Sequence, residues 1–384
     1  MSRRKKSPDR RKPERQSGIQ SPKDRCEALD AIVRAFTHPQ GMERHMTQSL
    51  WRGEVFNPAH TRVTVADGRV VSAVTMAPRM MRFGPVGIPA MTIGPVGTHD
   101  HYRKRGYSAA AMNDASDYMA REGCMLAYLQ GIPDYYYRFG YYPFMAPSHV
   151  KFNRDAARKQ SLPGRLRAMT ARDIPVIRKI YGKVTAGRIG PAKRDKAVWG
   201  WLLGPGTKTW LFVGPKVILD GDGKECGYLT MDAKGALRIR EIVVDPSEKS
   251  IRAALGAVTR EARRRESREV TLPLPWDDSL AVFVRQCVGA EFTMHSNATG
   301  GPVLKIVNLP ALMQALESAD PQERIWAAQT TGDLGQAALA ASITLRALSR
   351  TDPHAEVRDA AKQALRRIGS NGTVHGGDIP AAPR

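Results

Sequence analysis

The sequence is short of acid and of cysteine, and it has no long apolar run. Its 384 residues hold 37 Asp and Glu against 59 Lys and Arg, a formal charge of +22. The four cysteines, Cys26, Cys124, Cys226 and Cys287, lie far apart. No Cys-x-x-Cys or Cys/His pairing at zinc spacing accompanies them, so neither a disulfide framework nor a zinc motif is expected. A reducing, cytoplasmic setting follows as the default, and no metal is called for. No stretch approaches the roughly 18 consecutive apolar residues of a membrane-spanning helix, and the N-terminus has no apolar segment of the secretory type. What is present is ample: 42% hydrophobic and 25% charged residues can bury a core. The length implies two or three domains.

Part of the excess charge lies at the N-terminus. Arg3, Arg4, Lys5, Lys6, Arg10, Arg11, Lys12 and Arg15 face only Asp9 and Glu14, with nothing apolar to bury, so residues 1–24 read as a basic disordered tail. Such an arm can neutralise phosphates of a nucleic acid; without an accompanying motif a solubilising arm is the reading preferred. A second concentration, Arg260, Arg263, Arg264, Arg265 and Arg268, falls on an expected helix and is read as its solvated face.

Beyond the tail, Leu29, Ile32, Val33 and Phe36 are spaced for a helix over 26–36. Strands are expected over 61–66 and 70–76 around an Asp67-Gly68 hairpin turn, and over 88–93. A helix over 108–122 then stops at Gly123, and a short strand covers 125–129. This order is that of an α+β domain with one crossover, residues 25–150. The middle, 151–312, repeats it: helices at 173–181 and 197–203, strands at 209–213, 225–232 and 236–244, a long helix at 250–266 and a strand at 270–274. From 313 to 369 only helices are expected. The Asp320-Pro321 and Asp352-Pro353 starts are 32 residues apart, each placing a capping Asp before a first-turn Pro. The segment resembles HEAT-type helical repeats; two are too few to stand alone and should pack on the preceding domain. Residues 370–384, rich in Gly and Pro, read as a disordered tail.

The informative stretch runs from Gly94 to Ser108, Gly-Pro-Val-Gly-Thr-His-Asp-His-Tyr-Arg-Lys-Arg-Gly-Tyr-Ser, and joins a strand to a helix. A helix start presents unpaired N–H groups and a partial positive charge. Gly106 lets phosphate oxygens reach the main chain, and Arg103, Lys104 and Arg105 add charge. A pyrophosphate is the expected occupant. Neither Gly-x-x-x-x-Gly-Lys-[Ser/Thr] nor Gly-x-Gly-x-x-Gly is present. The spacing Arg103-x-x-Gly106-x-Ser108 instead resembles the [Gln/Arg]-x-x-Gly-x-[Gly/Ala] signature of GNAT acyltransferases. Thirty residues past Gly106, one helix and one strand later, comes Tyr136-Tyr137-Arg138-Phe139-Gly140-Tyr141, similar to the Tyr-x-x-[Phe/Leu]-Gly-[Phe/Tyr] of that family at the same place.

The wider resemblance, over about 25–312, is to the enhanced-intracellular-survival (Eis) type, with an active N-terminal GNAT domain and a second, degenerate one. Trp276-Asp277-Asp278-Ser279-Leu280 and Val303–Leu312 add to it in the second half. There, Asp245-Pro246-Ser247-Glu248-Lys249-Ser250 has no Gly, and that copy is expected to be inert toward coenzyme A. The fold class implied is α+β, tandem GNAT-like domains with a small C-terminal helical segment where Eis proteins carry a sterol-carrier-like domain.

The resemblance implies an N-acetyltransferase. Acetyl-coenzyme A would lie with its pyrophosphate on Arg103, Lys104, Arg105, Gly106, Tyr107 and Ser108, and its pantetheine arm along Val96, Gly97 and Thr98. A primary amine, on a small molecule or a peptide, would attack the thioester directly, with Tyr136 as general acid. Phe139 is read as a core residue. His99, Asp100, His101 and Asp134 are near enough in sequence to be weighed as the base and are read instead as structural hydrogen-bonders. Eis-type enzymes form hexamers, so a homo-oligomer is among the expectations; a membrane partner is not. Two other readings accompany this one. One is a protein lysine or N-terminal acetyltransferase whose helical segment recruits the acceptor; the other is a non-catalytic GNAT-derived binding protein. Simple packing of the helical segment on the second domain is preferred to recruitment.

Overall fold

The computed structural model of the chain describes residues 12–36, 44, 47–48, 51, 57–84, 86–203, 212–295, 300–333 and 340–370. The N-terminal tail is shorter than its charge suggests. Residues Arg15–Gly18 form strand β1, paired antiparallel with β2 (Thr61–Ala66). The Arg15 guanidinium lies 2.7 Å from the Asp24 carboxylate, so a tail cation is neutralised on the sheet edge. Helix α1 (Pro22–Ala35) starts before the expected end of the tail, because the Ser21 hydroxyl accepts the Asp24 N–H at 3.1 Å and Pro22 occupies the first turn. The remainder of that tail, 1–11, and the C-terminal tail beyond Ser370 lie outside the described residues.

Asp67 and Gly68, with φ of 52° and 68°, make the tight turn into β3 (Arg69–Phe83), which pairs along most of its length with β4 (Val86–Thr98). Both strands outrun their expected ends. A crossover through helix α2 (Tyr107–Arg121) returns the chain as β5 (Leu126–Gly131), parallel to β4. After β6 (Tyr142–Pro143) and β7 (Ser148–Asn153) come α3 (Arg154–Arg158), β8 (Arg165–Ala168), α4 (Ile174–Thr185), β9 (Ile189–Lys193), α5 (Lys196–Leu203), β10 (Phe212–Leu219), β11 (Glu225–Asp232), β12 (Ile239–Val244), α6 (Glu248–Arg264), β13 (Glu269–Leu272), α7 (Ser279–Cys287), β14 (Glu291–Met294) and β15 (Gly301–Ile306). The expected strand at 209–213 is described only from Phe212.

The sheets do not part at residue 150. The first has the order β1-β2-β3-β4-β5-β15-β6, with β9 on the far end of β3. The second half holds a four-stranded sheet, β12-β11-β10-β8, and a three-stranded one, β13-β7-β14. Thus β7, which straddles the expected boundary, is the centre strand of a second-half sheet. In return β15 pairs with β5 from Gly301↔Gly131 to Ile306↔Leu126. The open edge of β5 needs a hydrogen-bonding partner, and that partner comes from some 170 residues downstream, a pairing no local pattern signals.

Helices α8 (Leu309–Leu316), α9 (Pro321–Asp333), α10 (Ser342–Thr351) and α11 (Ala355–Ser370) close the described chain. The sequence places them against the second half; the structure places them on the first sheet. Leu316, Trp326, Ala361 and Ala364 share a core with Met81, Phe83, Ile88, Leu126 and Leu304. These strand residues are an apolar surface that α2, packed on Met76, Met91, Ile93 and Ala127, leaves uncovered. At the α9–α11 contact a Cβ on Gly332 would stand 2.6 Å from the Ala364 Cα, so small residues permit the close approach. Asp320 accepts the Gln322 N–H at 2.8 Å at the start of α9.

Asp352 caps less than it clamps. It accepts the His354 N–H at 2.9 Å and receives the buried Arg324 guanidinium at 2.7 and 3.2 Å. Removing one member of a buried pair strands the other charge, so Arg324→Met should destabilise the protein by about 3–5 kcal/mol at neutral pH. The Arg324 hydrogen bond holds the Asp352 carboxyl below its ordinary 3.8. The pair's contribution is therefore complete above that value and lost as pH falls through the lower, folded-state value. Denaturant unfolding of the two proteins should show the gap at pH 7 narrowing below pH 4; an unchanged gap would contradict the assignment.

Candidate active site

Strands β4 and β5 are hydrogen-bonded only over Ala90–Thr92 and Leu126–Tyr128. Beyond that, β4 carries a bulge: Val74 faces Val96 and Met76 faces Ile93, so Gly94 and Pro95 together oppose Thr75, one residue in excess. A bulge bends the strand that carries it, and β4 turns away from β5, whose other edge is held by β15. The result is a cleft of about 940 Å³ with Val96, Gly97 and Thr98 along one wall, within the range of small-molecule sites.

The α2 start lies in this cleft. Ser21, Asn153, Ser247 and Asp278 cap their helices with a side-chain oxygen. The N-cap of α2 is Gly106, with φ of 92° and no side-chain cap. Its first N–H groups are therefore left for another acceptor. Lys104, two residues earlier, also has positive φ, 63°, and a left-handed residue in a turn can bring successive N–H groups round toward an anion. A Cβ added at Gly106 would meet no protein atom within 4 Å, so it would project into open space.

The three expected cations do not act alike. Lys104 lines the cleft and makes no hydrogen bond or ion pair among the described residues. Arg103 lines it too, but its Nη2 donates to the Arg34 carbonyl at 2.8 Å, capping the end of α1. Arg105 lies over the Tyr102 ring at 5.6 Å and is not among the cleft-lining residues. Gly106, Tyr107 and Ser108 all border the cleft.

At the opposite wall, Gly131 leads into a tyrosine-rich 3-10 turn, Tyr137–Phe139. Tyr136 borders the cleft with 8% exposure, while Tyr137 is 54% exposed. The Tyr136 hydroxyl makes no hydrogen bond among the described residues. Burial, reinforced by Tyr135 beside it, pushes its pKa up to about 12, so it keeps its proton at neutral pH. Tyr135, its neighbour, is tied instead: its hydroxyl and Ser108 Oγ share a hydrogen bond across the cleft. Phe139 packs against the core under α2, as expected.

His99 is 4% exposed, with its Nδ1 2.8 Å from Asp100 and its Nε2 3.7 Å from Asp30. Burial lowers its pKa below the ordinary imidazole value. None of His99, Asp100, His101 and Asp134 lines the cleft. Sequence reasoning missed Gln16, Asn113, Ile132, Tyr135 and Arg138, which do. Asn113 was legible, since it follows Gly106 by seven residues and Ala109 and Ala110 by four and three, one helix face. Arg138 stacks on Tyr135 at 4.3 Å and on Phe139 at 5.1 Å, putting a further cation at the mouth.

Comparison with known proteins agrees with this geometry. Residues 20–144 match the profile of the acetyltransferase (GNAT) domain. A GCN5-related N-acetyltransferase from Anabaena variabilis superposes with a TM-score of 0.62 at 18% identity, over 79% of this chain and 74% of that one. One from Kribbella flavida gives 0.61 at 19%, over 78% and 72%. Eis1 from Mycobacterium abscessus gives 0.52 at 16%, over 78% and 75%. At these identities the likeness is one of fold. No curated protein matches the sequence. The chain thus carries a GNAT-type acyltransferase domain, the enzyme class its two motifs led one to expect. Among the described residues no helix is long and apolar enough to cross a membrane.

Proposed function

We propose that the chain transfers an acetyl group from acetyl-coenzyme A to a primary amine by direct attack in a ternary complex. The observation that carries this reading is the joint placement, in one cleft, of an uncapped helix start with a glycine and a free lysine, an unpaired strand edge, and a buried tyrosine with an unengaged hydroxyl. The α2 start and Lys104 would hold the pyrophosphate. Arg103 keeps its Nη1 for a phosphate while Nε and Nη2 donate to the Thr98 and Arg34 carbonyls, and Arg105 lies outside, so the charge at the turn rests on Lys104 and Arg103. The edge of β4 over Val96–Thr98 would run beside the pantetheine arm.

Direct attack forms the amide C–N bond as the C–S bond breaks, and the amine proton leaves to water or acceptor-side groups. Tyr136 faces the leaving sulfur. A phenol at about 12 is a weaker acid than an ordinary thiol near 8.5. Its contribution is therefore a hydrogen bond that strengthens as negative charge develops on sulfur, with proton transfer late. The second half follows the same element order, but at its equivalent turn Lys249 is bound to Asp220 and Asp222 at 3.1 and 2.6 Å. Ser247 there caps α6. This supports a degenerate second copy without coenzyme A, in an Eis-like tandem. The HEAT-like helices, seated on the first sheet, are a structural cover for it rather than a recruiting arm.

The raised pKa has a consequence for rate. Activity should rise as the acceptor amine loses its proton and then hold level through pH 10, because Tyr136 remains protonated beyond the ordinary tyrosine value of 10. A pH profile of kcat that falls between pH 8 and 9.5 would contradict this role. The reading as a whole is tested by free-thiol release from acetyl-coenzyme A across a panel of small amines and peptides; no release with any of them, in a chain that binds the cofactor, would refute it.

A further inference from the structure

On the second half of the chain, α3, the segment after it and α6 enclose a recess of about 510 Å³ that shares no lining residue with the cleft. It exists because α6 meets the chain at close range: a Cβ on Gly256 would stand 2.0 Å from the Leu162 carbonyl oxygen. Arg158 of α3 and Arg260 and Arg263 of α6 line it. All three are exposed, and none of their guanidiniums makes a hydrogen bond or ion pair among the described residues. Their neighbours behave differently. Arg154 pairs with Asp155 at 2.9 Å, Arg252 with Glu248 at 2.8 Å, and Arg264 and Arg265 with Glu261 at 2.6 and 2.8 Å. Of the four guanidiniums lining the recess, that of Arg154 is held by Asp155, while those of Arg158, Arg260 and Arg263 have no carboxylate partner among the described residues.

Asp155 is the one acid in the lining, and Arg154 occupies both its oxygens, at 2.9 and 3.1 Å. The Arg154 hydrogen bond lowers its pKa, and the charges of Arg158 and Arg263 act in the same direction; both of these side chains line the same recess. Like charges so gathered raise the local potential, and a multivalent anion relieves it. Guanidinium forks also match phosphoryl oxygens in pairs. Leu162, 41% exposed, and Pro163 give the recess an apolar side.

We propose that this recess is a binding site for a small organic polyphosphate, of the nucleoside diphosphate class. The three arginines take the phosphoryl groups, and Leu162 and Pro163 take the apolar moiety. The volume suits one such molecule. The acidic Asp155 in the lining interrupts the run of cations that a nucleic-acid strand would follow. The inference stands apart from the transferase reading.

The test is calorimetric titration of the full chain with ADP and with inorganic pyrophosphate, at fixed ionic strength, beside an Arg158→Gln/Arg260→Gln/Arg263→Gln variant. Any binding in the cleft is common to both proteins, so the difference reads the recess. ADP and pyrophosphate should each bind at least about tenfold more weakly to the variant, and the corresponding triple lysine variant, which keeps the charge but not the forks, should fall between. The sites are exposed, so the thermal midpoint should be shared; if the triple variant unfolds, Arg158→Gln and Arg260→Gln alone should each show a measurable weakening. Equal affinity of all proteins for both ligands overturns the proposal. So does a single-stranded oligonucleotide that binds the wild-type protein more tightly than ADP and loses more in the variant, since that result assigns the arginines to nucleic acid.

Discussion

Tyr136→Phe should lower kcat for amine acetylation by about 10²–10⁴-fold, the usual range for loss of a positioned proton donor, and leave the affinity for acetyl-coenzyme A nearly unchanged. The split follows from what Tyr136 touches. Its ring packs on Gly131, where an added Cβ would come within 3.0 Å of it, and edge-on to Tyr135 at 4.9 Å; phenylalanine keeps all of this. Only the hydroxyl is removed, and it supports no other group among the described residues. A group that interacts with the sulfur only as negative charge builds there changes kcat rather than binding. Tyr135→Phe is the control. It removes the hydroxyl bound to Ser108, so it should act on cofactor affinity more than on turnover. The reverse pattern would move the chemistry from Tyr136 to Tyr135.

Gly106→Val should weaken acetyl-coenzyme A binding by at least about 100-fold, roughly 2.7 kcal/mol. Two effects add. At φ of 92° a β-branched residue is strongly disfavoured, so the turn must rearrange or the helix start unwind. If the backbone holds, the new side chain projects into the space proposed for the pyrophosphate. Gly106→Ala separates them: a left-handed non-glycine residue costs about 1–2 kcal/mol, so alanine should destabilise the turn and weaken binding less than valine. Both effects are local, and the rest of α2 stays anchored by Arg62 on Asp114 at 2.6 Å. Binding of normal strength in the valine variant would remove the turn from the cofactor site.

What the sequence shows of this site is its contiguous part. Gly106, Ser108 and Tyr136 sit within one strand–turn–helix–strand unit, and glycine at a helix start or tyrosine after a strand is a local signal. Side-chain direction is not. Arg103, Lys104 and Arg105 are equivalent in composition, yet the first caps α1 from the cleft wall, the second only lines the cleft and the third covers Tyr102, because successive residues of a turn point different ways. Pairings distant in sequence were equally hidden. Strand β1 lies within a run of positive charge, and the neutralisation of Arg15 by Asp24 and the free edge of β2 help fold it. The exchange of β7 and β15 between sheets depends on which edges remain open after the rest has paired. The seat of the C-terminal helices follows from Met81, Phe83 and Ile88 facing away from α2, which is clear only once β3 is known to continue past Met76.

The central claim is that the cleft where β4 and β5 part binds acetyl-coenzyme A through the Gly106 turn. Calorimetric titration of acetyl-coenzyme A into the wild-type chain and into Gly106→Val tests it most directly. The account predicts a site in the wild-type protein that the variant lacks, with the two proteins sharing their fold by circular dichroism. Identical isotherms for the two proteins, whether both bind or neither does, would contradict it.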